Sequence, residues 1–314
     1  LSPGRLIFDT VSARENLREL SIGRGAASEP RWLTRGNSAE RQPAYSPDGG
    51  QVVFTSSRSG NLDLWALSLT TGAVRRLTED QAEDWDPVFI DGGRKLLWSS
   101  GRGGNLEIWI GDADGTGARQ VTRDGVDAQN PTATPDGDWI VYNSGNTSKP
   151  GVWKIRADGT QPTRLVAGTT GMPEISPDGR YVAYLTGVQA NREIIRFVRV
   201  ADGSPVPFEI PIEIVKPTPI RIGRSRWMPN GRAIAFVAQN ERGIPGVFVQ
   251  DFVPGEDTTA TRRPLGGFDA ESETESFGVS PDASRLVIAS WERLFTVMEA
   301  DGVTGVEPPN RSMR

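Results

Sequence analysis

Residues 46–54 read Ser46-Pro47-Asp48-Gly49-Gly50-Gln51-Val52-Val53-Phe54, a tight-turn tetrapeptide that runs straight into a short apolar strand. Proline presets φ for the bend, and aspartate and glycine suit the residues after it. The same phrase returns at Ser2-Pro3-Gly4, Ile90-Asp91-Gly92, Thr134-Pro135-Asp136-Gly137, Ser176-Pro177-Asp178-Gly179, Met228-Pro229-Asn230-Gly231 and Ser280-Pro281-Asp282-Ala283. With the second residue of each copy as anchor (3, 47, 91, 135, 177, 229, 281), the intervals are 44, 44, 44, 42, 52 and 52 residues. Periods of this size belong to the four-stranded blades of propellers.

Two further columns keep the register. Seven residues after the anchor stand Phe54, Trp98, Tyr142, Tyr184, Phe236 and Ile288, and Phe8 follows the first anchor after five. Eighteen residues after it stand Trp65, Trp109, Trp153 and Ile195, with Phe248 one place later. One small twisted sheet cannot bury its own faces, so large apolar residues at fixed offsets are what stacked blades require. No segment keeps a 3.6-residue period, which predicts almost no helix. The expected fold is all-β: a propeller of four-stranded antiparallel blades. Seven anchors at a mean spacing of about 46 residues match the 314-residue length, which predicts seven blades, with six as the alternative. Residues 204–223 and 252–263 read as insertions in the two longer intervals.

The repeat runs from end to end without a compositional break, so residues 1–314 read as one propeller domain. The chain begins inside a repeat, which reads as a segment of a longer protein. A net charge of −5 disfavours nucleic acid as a partner, since phosphate binding needs a concentrated basic stripe. No apolar run is long enough to span a membrane within the segment. Without cysteine there is neither a disulfide nor a thiolate metal site; without histidine there is no Ser-His-Asp or Cys-His nucleophile system and no imidazole base. Asp112-Ala113-Asp114-Gly115-Thr116 superficially matches a calcium loop. Its counterparts Ala157-Asp158-Gly159 and Ala201-Asp202-Gly203 mark it as a repeated hairpin turn, so no metal and no cofactor are expected.

In a propeller the innermost strands line a central channel, and the segments feeding them share one face with the loops between second and third strands. The feeding segments contribute Arg41, Gln42, Glu83, Asp84, Trp85, Asp86, Gln129, Asn130, Met172 and residues 273–276. The second-to-third loops contribute Arg58, Asn61, Arg102, Asn105, Asn191 and Arg242. Convergent polar groups at a concave mouth are the default binding site, so Arg58, Asn61, Asp84, Asp86, Arg102, Asn105, Gln129 and Asn130 are the candidate binding residues. Arg58 and Arg102 have a second role open to them: ion pairs with a neighbouring blade's Asp84, or with the repeated Asp63 and Glu107, that fix the registry of blades.

The repeated Ser-Pro-Asp-Gly turn and the Trp65, Trp109 and Trp153 column resemble the TolB-like, WD-like propeller repeats of bacteria over practically the whole chain. More narrowly, residues 274–282 (Thr-Glu-Ser-Phe-Gly-Val-Ser-Pro-Asp) and Gly-Val-Glu-Pro-Pro at 305–309 resemble the propeller behind bacterial membrane-anchored Ser/Thr protein kinases. That resemblance implies a non-enzymatic sensor, periplasmic or extracytoplasmic, with a protein or peptide partner or a small ligand in the channel. Alternatives are a TolB-like envelope protein, although the N-terminal α/β domain of TolB is absent here, and the gating propeller of a prolyl-oligopeptidase-like peptidase whose hydrolase residues lie elsewhere. Fold supports many functions, so the choice has to come from the site.

Overall fold

A computed structural model describes residues 5–23, 30–189, 192–218, 220 and 222–301, and these form six four-stranded antiparallel sheets. Blade 1 runs outward from the channel through Glu40–Tyr45, Gln51–Ser56, Asp63–Ser68 and Val74–Arg76. Blade 2 comprises Asp84–Ile90, Lys95–Ser100, Glu107–Asp112 and Arg119–Gln120, and blade 3 comprises Ala128–Ala133, Trp139–Ser144, Gly151–Arg156 and Thr163–Ala167. Blade 4 is Thr170–Ile175, Tyr181–Gln189, Arg192–Arg199 and Pro205–Glu213; blade 5 is Ser225–Trp227, Ala233–Gln239, Pro245–Asp251 and Arg263–Gly266. Successive innermost strands lie against one another from blade 1 to blade 5, and the inner strand of blade 6 closes the ring against the second and third strands of blade 5 and the inner strand of blade 1. Among the described residues, helix is confined to two short 3-10 turns, Asp91–Gly93 and Thr259–Thr261.

The blade count corrects the sequence expectation of seven. Blade 6 is built from both ends of the chain: Ser272–Val279 and Arg285–Asp301 supply its inner half, Arg5–Ser21 and Arg31–Trp32 its outer half. The first and last sequence repeats are therefore two halves of one blade, and counting both as blades overshoots by one. Arg5–Ser21 pairs with Arg285–Asp301 over its whole length, from Arg5↔Asp301 to Ser21↔Arg285. The Ser2-Pro3-Gly4 turn, Asn191 and residues 305–309 lie outside the described residues.

The column seven places after the anchor is core, with Phe54, Trp98 and Phe236 fully buried. The tryptophan column is not: Trp65, Trp109 and Trp153 are half-buried between blades rather than enclosed. Each carries a cation over its ring, Arg58 at 4.9 Å, Arg102 at 4.7 Å and Lys149 at 5.3 Å from the ring centroids. The residues inserted after 204 lengthen the outer edge of blade 4 and feed the most aromatic part of the core, where Phe197, Phe208, Trp227 and Phe252 pack edge to face against blade 5.

The repeated Asp-Gly turns between third and fourth strands are packing devices. In each, the aspartate accepts from the residue two places on, as Asp114 does from the Thr116 N–H (3.0 Å) and hydroxyl (2.7 Å). Gly115 sits at φ +91°, where a Cβ would lie 1.9 Å from the Leu77 carbonyl oxygen of blade 1. Gly159 and Gly203 approach the carbonyls of Val121 and Leu165 in the same way, at 2.9 and 2.5 Å. Only glycine lets the turn of one blade seat this closely against the outer strand of the previous one.

Candidate functional site

The channel mouth is assembled from one repeated irregularity. Gln42, Asp86, Asn130 and Met172, each five residues before its anchor and each followed by proline, adopt φ of 55°, 53°, 53° and 50°. The residue before proline is driven out of the right-handed helical region; here it takes the left-handed one, and strand pairing slips at that point in all four blades. A bulge of this kind re-aims side chains, and left-handed non-glycine residues gather at functional positions.

Hydrogen bonds link the first three of these positions to one another and to blade 6. The Gln42 N–H donates to Ser276 Oγ of blade 6 (2.9 Å), the Asp86 N–H to Gln42 Oε1 (3.0 Å), and Asn130 Nδ2 to Asp86 Oδ2 (2.7 Å). The other Asp86 oxygen accepts from Arg224 Nη1 at 3.2 Å. Blades 2 and 5 stand opposite each other in a ring of six, so the Asp86–Arg224 pair crosses the channel. Both side chains are well buried, at 12% and 7% exposure, which removes most of the solvent screening such a pair would otherwise feel. Burial opposes the Arg224 charge, yet Asp86, Glu275 and Glu174 together hold its pKa above the ordinary value. Beside it Arg226 pairs with Glu174 at 3.0 Å, and Arg41 pairs with Glu15. Burial pushes the carboxyls of Glu174 and Glu15 up, against the pull of those arginines.

Outside this plug lies a cavity of about 400 Å³ lined from five blades. Its walls include Gln42, Trp85, Asp86, Gln129, Asn130 and Met172, with Glu83 at the rim, Arg224 at the floor, and Asn143 and Thr170 joined by a 2.7 Å hydrogen bond on one side. A larger cavity, about 680 Å³, lies along the outer strand of blade 4 among Pro205, Pro207, Pro211 and the exposed Arg196–Glu209 pair. It is lined from blades 4 and 5 only and lies away from the channel, with Arg196, Glu209, Glu256 and Asp257 among its lining residues.

Of the eight candidate residues, the structure brings Asp86, Gln129 and Asn130 together at the mouth, while Arg58, Asn61, Asp84, Arg102 and Asn105 line other ground. Arg58 pairs with Glu40 and donates to Ser56 Oγ at 3.1 Å; Arg102 pairs with Asp84 (3.1 Å) and Asp80 (2.6 Å) and donates to Ser100 Oγ at 2.8 Å. These are acid–serine–arginine units repeated within blades. Asp84 is fully buried in its unit, and burial raises its pKa against the hydrogen bonds from Ser100 and Thr78 and the charge of Arg102. Asn61 Nδ2 donates to the carbonyls of Asp80 (3.1 Å) and Ala82 (3.0 Å), and Asn105 Nδ2 to that of Gly125 (3.2 Å), tying each loop to the segment that feeds the next blade. Arg224, Asn143 and Thr170 were not among the sequence candidates. Arg224 shares the column of Gln42, Asp86, Asn130 and Met172, and that column was the signal available for finding it.

A ring of four-stranded blades with a polar, plugged channel defines a β-propeller, and the cavity at its mouth draws its lining from five of the six blades. The chain belongs to the TolB β-propeller domain family (PD40), whose model matches residues 14–205. It is similar to the putative TolB of Agrobacterium tumefaciens, with a TM-score of 0.65 and 19% identity over 90% of this chain and 99% of that one. It is similar also to TolB of Acinetobacter baumannii, with a TM-score of 0.60 and 15% identity over 90% of this chain and 66% of that one. An oligogalacturonate lyase solved with manganese shares the fold at a TM-score of 0.51 and 11% identity, over 88% of this chain and 97% of the lyase. An uncharacterised protein of Agrobacterium fabrum is 38% identical over 47 residues, 15% of this chain and 16% of the relative's length. At such identities the solved structures speak for fold alone.

Proposed function

We propose that this chain is a non-enzymatic recognition propeller that binds a protein segment, peptide or small ligand at the channel mouth. The observation that carries the reading is the cavity of about 400 Å³ into which five blades aim polar side chains held by a bonded network. Gln129, Asn130 and Asp86 are its binding residues, and Arg58, Asn61, Asp84, Arg102 and Asn105 act behind them by fixing the loops. The role we assign is that of the extracytoplasmic sensor region of a bacterial receptor Ser/Thr kinase, in which the propeller is one domain of a longer chain. The resemblance of residues 274–282 supports it. Membership of the TolB propeller family favours a second reading, a TolB-like protein of the cell envelope.

The test is a pull-down from the source organism's envelope fraction with three proteins. Gln129→Trp fills the mouth, and Arg232→Glu changes an exposed residue on the Pro-Asn-Gly turn face on the opposite side. The partner retained by wild type should be kept by Arg232→Glu and lost by Gln129→Trp. Loss with Arg232→Glu and retention with Gln129→Trp would put the site on the other face.

A further inference from the structure

Tryptophans in this protein are almost all covered. Among the described residues, seven of the nine carry an arginine or lysine over the indole, at 3.8 Å for Trp32 and out to 5.6 Å for Trp98. An eighth, Trp227, is packed among the rings of Tyr181, Phe197 and Phe252. Trp85 is the exception: no cation and no aromatic ring among the described residues lies over it, and it lines the mouth cavity, half-buried. An indole face attracts a cation through its ring quadrupole, more strongly as the site is desolvated.

The charges around the cavity point the same way. Its lining carries two carboxylates, Glu83 and Asp86, against the single cation Arg224, and is therefore net negative. Arg224 is already engaged by Asp86, with Glu275 and Glu174 close enough to act on its charge. An incoming anion would have to displace Asp86 and pass Glu83. An incoming cation meets two lining residues suited to it, the exposed Glu83 and the half-buried Trp85, which no other ring or cation covers among the described residues.

Resting on the reading of the mouth as the binding site, we infer that the mouth recognises one protonated amine or guanidinium, seated over Trp85 with Glu83 as counter-ion. The group belongs either to a lysine or arginine side chain of a peptide or to a small free amine; the chemistry is shared.

The experiment follows the Trp85 indole N–H by NMR while Nα-acetyl-arginine amide, its uncharged citrulline counterpart, Nα-acetyl-glutamate amide, agmatine and the peptide acetyl-Gly-Arg-Gly-amide are titrated in turn. The arginine amide should bind about tenfold more tightly than the citrulline amide, and the glutamate amide should not bind. Agmatine binding without the tripeptide identifies a free amine as the source, and the reverse identifies a side chain. Trp85→Ala should lose about tenfold of the arginine affinity, read by calorimetry, Trp85→Phe should keep most of it, and Glu83→Gln should weaken it and flatten its salt dependence. Trp85→Phe preserves the packing, so the comparison survives should the alanine variant fold poorly. Equal binding of citrulline and arginine overturns the inference while leaving the mouth as a site. Failure of every probe to move the Trp85 signal overturns it too, and a pull-down partner that follows Arg232 instead of Gln129 removes the site itself.

Discussion

At the scale of single residues, a repeated sequence hides unequal roles. Trp98 and Trp109 face each other across paired strands of blade 2, yet Trp98 is fully buried while Trp109 is half-buried under Arg102. Trp98→Ala should cost about 3–5 kcal/mol, the range for deleting a large core aromatic. Trp109→Ala should cost about half as much, because less area leaves water and part of the loss is a stacked cation. Denaturant titration of the two variants checks the order, and equal losses would mean that the outer column is as much core as the inner one. Gly115→Ala tests the turn. It forces a left-handed φ on alanine and drives its Cβ into the Leu77 carbonyl, so a loss of about 2 kcal/mol or more is expected. Gly72, in the corresponding turn of blade 1, also has positive φ but nothing within 4 Å of a built Cβ, so Gly72→Ala should cost only the strain, about 1 kcal/mol.

At the scale of elements, blade 6 shows where a sequence period stops informing. The Ser-Pro-Asp-Gly turn and the column seven places after it locate the paired inner strands of blades 1 to 5, because each is a local hairpin whose turn residues are dictated by its own backbone. Which strands close the ring is a pairing between residues some 270 apart in sequence, as in Leu17↔Ala289, and no local signal encodes it. The mouth was legible to the same degree: Asp86, Gln129 and Asn130 follow from the register, whereas the diversion of Arg58 and Arg102 into pairs with Glu40 and Asp84 depends on side-chain reach. The strand pair of blade 6 also changes character along its length. Leu17 and Ile288 are fully buried in the blade, whereas Phe295 and Val297 toward the other end are 72% and 75% exposed. A two-stranded ribbon without a packed face is marginal in water. Amide exchange should therefore be slowest at Leu17 and Ile288 and orders of magnitude faster at Phe8 and Val297. Uniform protection along both strands would mean that the exposed end is covered in solution.

At the scale of the whole molecule, the Asp86–Arg224 pair ties opposite blades at the channel centre, so it should matter to the ring more than to any blade. Removing one member of a buried pair costs about 3–5 kcal/mol by leaving a charge uncompensated. Asp86→Asn and Arg224→Met should each approach that figure, while the double variant should fall well short of their sum; additive losses would show that the two groups do not act as a strut. The carboxylates as a set decide how stability follows acidity. Buried Glu15 and Asp84 and the partly buried Glu174 have raised pKa values chiefly through desolvation, so the folded chain takes up their protons before the unfolded chain does, and their contribution improves as the pH falls toward the ordinary carboxylate range. The turn aspartates behave oppositely. Asp48, Asp136 and Asp282 accept hydrogen bonds from Ser46, Thr134 and Ser280, which hold their pKa values below the usual 3.8. Their stabilisation is complete above that value and is lost as the pH drops through their folded values. Stability measured by urea titration should thus rise gently from pH 7 into the mildly acidic range and fall steeply below about 3.8, the usual aspartate value at which the turns begin to lose their advantage. A variant with Ala in place of Ser46, Thr134 and Ser280 should be less stable at neutral pH and should lose that steep acid limb. A limb unchanged in that variant would assign the acid sensitivity to carboxylates outside these three turns, since Glu15, Asp84 and Glu174 change stability in the opposite direction.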